Sequence, residues 1–203
     1  MKHRLALAAA TALATLSVGA AAQASTITGG ITQVTVTADL PALGLGGAPF
    51  GSAFVTDLAT FNFPITGGTA TADGATILHD GSGVMLFTAA DDDDTEVTVG
   101  NFVIDTAAAG ITGDVIGGPT GLDLFVFSED DTDFSDGIDL DITATLAGAL
   151  TSIFAAPDLT GAQFGVATTS PEVAPIPLPA SAWMLLAGLG GVGLVARRKR
   201  KAA

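Results

Sequence analysis

Apolar and polar positions alternate along the chain in short runs, and Gly, Asp, Asn or Pro separates one run from the next. Val34, Val36 and Ala38 alternate with Thr35 and Thr37, and Phe61, Phe63 and Ile65 with Asn62 and Pro64. A period of two puts one side chain into a core and the next into solvent, which is the pattern of a half-buried strand. Ile77-Leu78 and Val84 to Phe87 flank His79-Asp80-Gly81-Ser82-Gly83, which predicts a five-residue hairpin loop. Val97 and Val99 meet Phe102 and Ile104 across Gly100-Asn101, which predicts a two-residue turn. Leu122 to Phe127 is another apolar run. The longest alternation sets Ile138, Leu140, Ile142, Ala144 and Leu146 against Asp139, Asp141, Thr143 and Thr145, and predicts one strand across them. Gln163 to Thr168 supplies the last strand, and only Ala147–Ala156 has any helical character. The eleven Phe residues all fall in this part of the chain and are expected to build its core. Regular short strands with turn signals predict an all-β fold, a single antiparallel β-sandwich or jelly-roll-like domain over residues 25–169. No period of 20–50 residues repeats, which argues against a solenoid.

At both ends the alternation gives way to unbroken apolar runs with basic flanks. Lys2, His3 and Arg4 precede an uncharged stretch from Leu5 to Val18, and Ala22-Gln23-Ala24 has small residues at both sites that a signal peptidase reads. This is the pattern of a signal peptide over residues 1–24, with Ser25 as the new N-terminus. Near the other end, residues 170–179 form a Pro-rich spacer, SPEVAPIPLP, expected to be extended because each Pro fixes φ and restricts its predecessor. Residues 180–196 carry no charge and include Trp183. At 1.5 Å per residue such a helix spans about 25 Å, and a snorkelling Arg197 closes the gap to a ~30 Å hydrocarbon core. The basic tail of residues 197–203 holds Arg197, Arg198, Lys199, Arg200 and Lys201, which the positive-inside rule keeps in the cytoplasm.

Ile176-Pro177-Leu178-Pro179-Ala180, followed by an apolar helix and an arginine-rich end, resembles a PEP-CTERM sorting signal, and more narrowly its VPLPA-CTERM variant. Ile176 stands where the variant usually has Val. The resemblance covers residues 175–203 only. It implies that the tail is recognised by an exosortase, a membrane protease or transpeptidase, which cuts near the Pro-containing motif. It also implies an inner-membrane-anchored precursor and a product at the cell surface or in the extracellular matrix of a Gram-negative bacterium that makes exopolysaccharide. The simpler alternative is a plain single-span anchor.

Charge narrows the chemistry of the body. The chain has 203 residues and a net charge of −14, yet all seven Lys and Arg lie at positions 2, 4 and 197–201. Residues 5–196 contain none of them and all 21 Asp and Glu, a formal charge of −21. A polyanion without cations has no means of holding phosphate or nucleic acid. The absence of Cys excludes thiolate metal sites, disulfides and a cysteine nucleophile. Outside the two ends there is no Trp or Tyr on which sugar rings could stack. His79 is the only His of the body, and in a hairpin loop it is expected to be solvated rather than catalytic. Val103-Ile104-Asp105-Thr106-Ala107 resembles the aspartic-protease signature, but that chemistry needs a second such motif, which is missing.

Two acidic clusters remain. Asp91, Asp92, Asp93, Asp94 and Glu96 lie between two predicted strands; Asp130, Asp131, Asp133 and Asp136 lie in SEDDTDFSDG. Ca²⁺ takes 6–8 oxygen ligands, and acidic loops with a Gly turn can supply them. Asp131, Asp133 and Ser135 have the 1, 3, 5 spacing of an EF-hand loop, but Gly137 comes one residue late and Ile142 stands where the bidentate Glu belongs. A looser β-loop calcium site is one reading; a solvated acidic surface is the simpler one. Three functions follow: a non-catalytic exported surface or matrix module processed by signal peptidase and exosortase, a calcium-dependent binder of exopolysaccharide or surface glycans, and a carboxylate-dependent hydrolase.

Overall fold

The computed structural model describes residues 24–88, 95–128, 134, 136–175 and 187. In chain order these hold β1 (Ser25–Val36), a 3-10 turn (Pro41–Leu43), β2 (Leu45–Gly51), β3 (Phe54–Val55), β4 (Thr60–Pro64), β5 (Gly67–Thr71), β6 (Gly74–Thr88), β7 (Glu96–Asp105), β8 (Gly110–Val115), β9 (Leu122–Val126), β10 (Ile138–Ile142), α1 (Ala144–Phe154) and β11 (Gln163–Val173). The chain divides after Val173, and all of these elements belong to the first unit.

The pairings close on themselves. β1 lies against β11 on one edge, with Val34 opposite Ala167, and against β5 and β4 on the other. From β5 the antiparallel ladder continues through β6, β7, β8, β9 and β10 to β11, and so returns to β1. Eight strands therefore form a ring, with β4 and β3 branching from β1 and β2 from β6. The chain is all-β as the alternation predicted, but one sheet closes on itself where two stacked sheets of a sandwich were expected. Closure leaves the ring strands no free edge for a foreign strand to join. The last strand also runs past Thr169 to Val173, so Ser170–Val173, placed by the sequence in the spacer, pair with β1.

Two predicted reversals turn out to be bends within strands. His79-Asp80-Gly81-Ser82-Gly83 lies inside β6, and Gly100-Asn101 inside β7, where the register of the two strands shifts between His79 and Gly83. Gly81 and Asn101 take the left-handed conformations that suggested turns. They serve adjoining bulges, which bend and twist the strands without reversing them. The Asn101 side chain ties the bend together: its Oδ1 accepts from the Gly81 N–H at 2.9 Å and its Nδ2 donates to Asp114 Oδ2 at 3.1 Å.

The alternation through Leu146 is also cut short. Thr143 caps a helix, its Oγ1 accepting from the Leu146 N–H at 3.2 Å, so Ala144 and Leu146 belong to α1 rather than to β10. A threonine hydroxyl at this position satisfies one of the orphan N–H groups of the first turn. Leu146, Ala147 and Leu150 face inward and cover one end of the ring, packing with Leu45, Val99, Leu124 and Ile142. A second cluster of Ile27, Ile77, Ile104, Ile111, Ile138 and Leu140, among others, fills the remainder. Aliphatic residues thus carry much of the core. Phe61, Phe63, Phe127 and Phe134 are buried with them, whereas Phe50 and Phe54, expected inside, are 40% and 42% exposed.

Candidate functional site

His79, Thr32 and Thr169 form a hydrogen-bonded chain in the described interior, apart from the bonds that buried Asn62 makes with Gln33, Thr56 and the Phe54 carbonyl. His79 is 1% exposed, which corrects its placement in a solvated loop; the bulge turns its ring into the ring of strands. Its Nδ1 lies 3.1 Å from the Phe102 carbonyl oxygen, and its Nε2 lies 2.8 Å from Thr32 Oγ1. Thr32 Oγ1 lies in turn 2.7 Å from Thr169 Oγ1, across the β1–β11 pairing. A carbonyl only accepts, so Nδ1 carries the proton and Nε2 accepts from the Thr32 hydroxyl. Thr32 then has no proton left, and Thr169 donates to it. Burial holds the His79 imidazole below its ordinary pKa, against the opposing pull of the Phe102 carbonyl and of Asp80. The ring is therefore neutral near pH 7, with both nitrogens occupied. Neither threonine was singled out from sequence. The signal was present for Thr32, which stands two residues before the inward-facing Val34.

Around this chain lies an apolar cavity of about 130 Å³. Thr32 and His79 form part of its wall; Phe61, Val84, Leu86 and Val99 line it from the strands, and Leu146 and Leu150 from α1.

The carboxylates of the described residues are dispersed or locally engaged. Asp105, the Asp of the protease-like motif, ends β7 in a tight turn, where its Oδ1 accepts from the N–H groups of Ala107 at 2.9 Å and Ala108 at 3.1 Å. Thr106 Oγ1 accepts from the Ala75 N–H at 2.6 Å. These are the bonds of an Asx turn next to a cross-strand tie. Of the proposed calcium ligands, Asp91, Asp92, Asp93, Asp94, Asp130, Asp131 and Asp133 lie outside the described residues, while Glu96 and Asp136 are described and exposed. Glu96 begins β7 at the rim where β6 ends, and Asp136 precedes β10 at the rim where β9 ends. Because three antiparallel steps separate β6 from β9, these are opposite rims of the ring, and the two carboxylates are not brought together. Among the described residues, no three His, Cys, Asp or Glu gather in a way that could hold a metal ion.

Both predicted processing regions flank the ring. Ala22 lies outside the described residues; Ala24 is exposed, and Ser25 is the first residue of β1. At the other end β11 stops at Val173, which pairs with Ile27 two residues into β1. The chain therefore enters and leaves the ring side by side. Ile176, Pro177, Leu178, Pro179 and Ala180 lie outside the described residues, as do Arg197 to Lys201 and, apart from Ala187, the proposed membrane span. No helix among the described residues is long and apolar enough to cross a membrane.

Comparison with protein families decides the character of the tail. Residues 175–201 match the PEP-CTERM protein-sorting motif. The motif supports an exported protein processed by an exosortase, and it begins two residues beyond the end of β11. It covers the tail alone. Neither the curated proteins nor the solved structures yielded a match.

Proposed function

We propose that the chain is the precursor of a non-catalytic β domain delivered to the surface or extracellular matrix of a Gram-negative bacterium. Signal peptidase cuts after Ala24, the span of residues 180–196 holds the precursor in the inner membrane, and an exosortase cuts in the tail. The observation that carries this reading is the sorting-motif match over residues 175–201. The fold is compatible with it. Cleavage at Ala24 leaves β1 whole, and cleavage beyond Val173 leaves β11 whole, so the closed ring survives both cuts. The non-catalytic part is supported by the two best candidates for chemistry. His79 has both ring nitrogens committed in a buried chain, and Asp105 is held by its own turn.

Expression in a host with its exosortase, and in the same host with the exosortase gene deleted, tests the proposal. The deletion should leave the tailed precursor in the inner-membrane fraction and remove the shorter product from surface and medium. The same distribution in both hosts would reject exosortase sorting.

A further inference from the structure

We propose that the closed ring is a binding site for one small, neutral, apolar molecule of about benzene size. The cavity of about 130 Å³ lies inside the ring, between the cluster under α1 and the cluster around Ile104. A ring of about eight strands is just wide enough either to be filled by side chains or to hold one small ligand. Here the filling is incomplete for a reason visible in the chain. Gly47 on β2 faces the cavity without a side chain: a Cβ built on it would lie 3.5 Å from Phe61 Cζ, 3.6 Å from Val84 Cγ1 and 3.9 Å from Leu86 Cδ2, all atoms of cavity-lining residues. Those are ordinary contact distances, so a larger residue would fit there and the vacancy is not forced by crowding.

Chemistry of the wall selects the class of ligand. Among the described residues, Thr32, His79 and Gln163 are the only lining residues with polar side chains, and the hydrogen bonds of Thr32 and His79 are turned to each other, to Thr169 and to Phe102. An anionic guest would find no Lys or Arg anywhere between residues 5 and 196. A strongly polar guest would lose its hydration without replacement. An apolar cavity of about 150 Å³ lined by Leu, Ile and Phe stays dry and takes up benzene or xenon. By that comparison the guest here has about five or six non-hydrogen atoms, as benzene or a short branched hydrocarbon does.

The unit Ser25–Val173, which closes its own ring and contains both clusters, is titrated with benzene and followed by methyl and amide NMR, with circular dichroism to establish that it is folded. Saturable shifts at Phe61, Val84, Leu86 and Val99 are expected, with a dissociation constant of about a millimolar or tighter. Gly47→Leu should weaken binding at least ten-fold while the domain stays folded. Gly47→Ala, whose single added atom meets nothing closer than 3.5 Å, serves in its place with a smaller loss should the leucine variant not fold. Gly148→Ala, on the exposed face of α1 and away from the cavity, should bind as the parent does. The proposal is overturned if the folded unit shows no saturation, if the shifts centre on exposed apolar positions such as Val126 and Ile153, or if filling position 47 leaves the affinity unchanged.

Discussion

Replacing Thr32 by valine keeps the shape of the side chain and removes its hydroxyl from the interior chain. His79 Nε2 then loses the donor now 2.8 Å away, and Thr169 loses the acceptor now 2.7 Å away. The two losses are unequal. Thr169 is 9% exposed and can turn its hydroxyl elsewhere, whereas His79 is 1% exposed and its ring is held by Phe102. The cost is therefore mainly that of one orphaned acceptor in the core, about 1–3 kcal/mol. For a domain of this size that lowers Tm by roughly 3–9 °C. Urea denaturation of the parent, Thr32→Val, His79→Phe and the double variant completes a thermodynamic cycle. With phenylalanine at position 79 no ring nitrogen needs a donor, so Thr32→Val should cost roughly 1 kcal/mol less than in the parent. Interaction energies of 0.5–3 kcal/mol are usual for groups in one hydrogen-bonded network, and independent sites add within about 0.5 kcal/mol. Equal costs of Thr32→Val in the two backgrounds would refute the proton assignment and the chain drawn from it.

Other consequences follow from the same structure. The His79 pKa is lowered from 6.5 in the folded state, so the unfolded chain takes up the proton first. Stability is then flat above about pH 6.5 and falls as pH drops from there towards the folded pKa, by at most about 1.4 kcal/mol per pH unit; urea titrations between pH 7 and pH 5 should show this slope, and His79→Gln should remove it. Ile104 is 1% exposed in the core, and Ile104→Ala should cost about 2–5 kcal/mol by chemical denaturation. Gly30 has φ +118°, and a Cβ there would lie 2.1 Å from the Ser170 carbonyl oxygen, so Gly30→Ala should open the β1–β11 seam and broaden or abolish the thermal transition. With −21 charges and no Lys or Arg in residues 5–196, thermal stability should rise with ionic strength, and more with CaCl₂ than with NaCl at equal ionic strength; a melting temperature indifferent to salt would contradict this.

The tail was legible because its signal is linear: a short motif, an uncharged stretch and a basic end follow one another with no need of a partner elsewhere. The alternating strands were legible for a similar reason, since Val34 or Ile138 declares its inward side within a few residues. Ring closure was not, because it depends on pairs such as Thr32 with Thr169, separated by most of the domain. The bulges misled for a physical reason. Gly81 and Asn101 signal only that the backbone takes left-handed conformations, and a sharp bend needs those as much as a reversal does. His79 was placed in solvent by that error, and the interior chain went unseen with it. Strand β8 was missed because Gly110 and Gly113 dilute its alternation, although Ile111 is buried. At α1 the two-residue period of Ile138–Ile142 ran on by coincidence into Ala144 and Leu146, and the capping Thr143 was the residue that marked the change.

The central claim is that the mature protein is the ring without its ends. Mass spectrometry of the protein recovered from the cell surface or medium, with peptides mapped to both termini, tests it directly. The account predicts a first residue of Ser25, a last residue beyond Val173 and before Arg197, and no peptide containing Arg197–Lys201. An intact basic tail on the surface protein would contradict it.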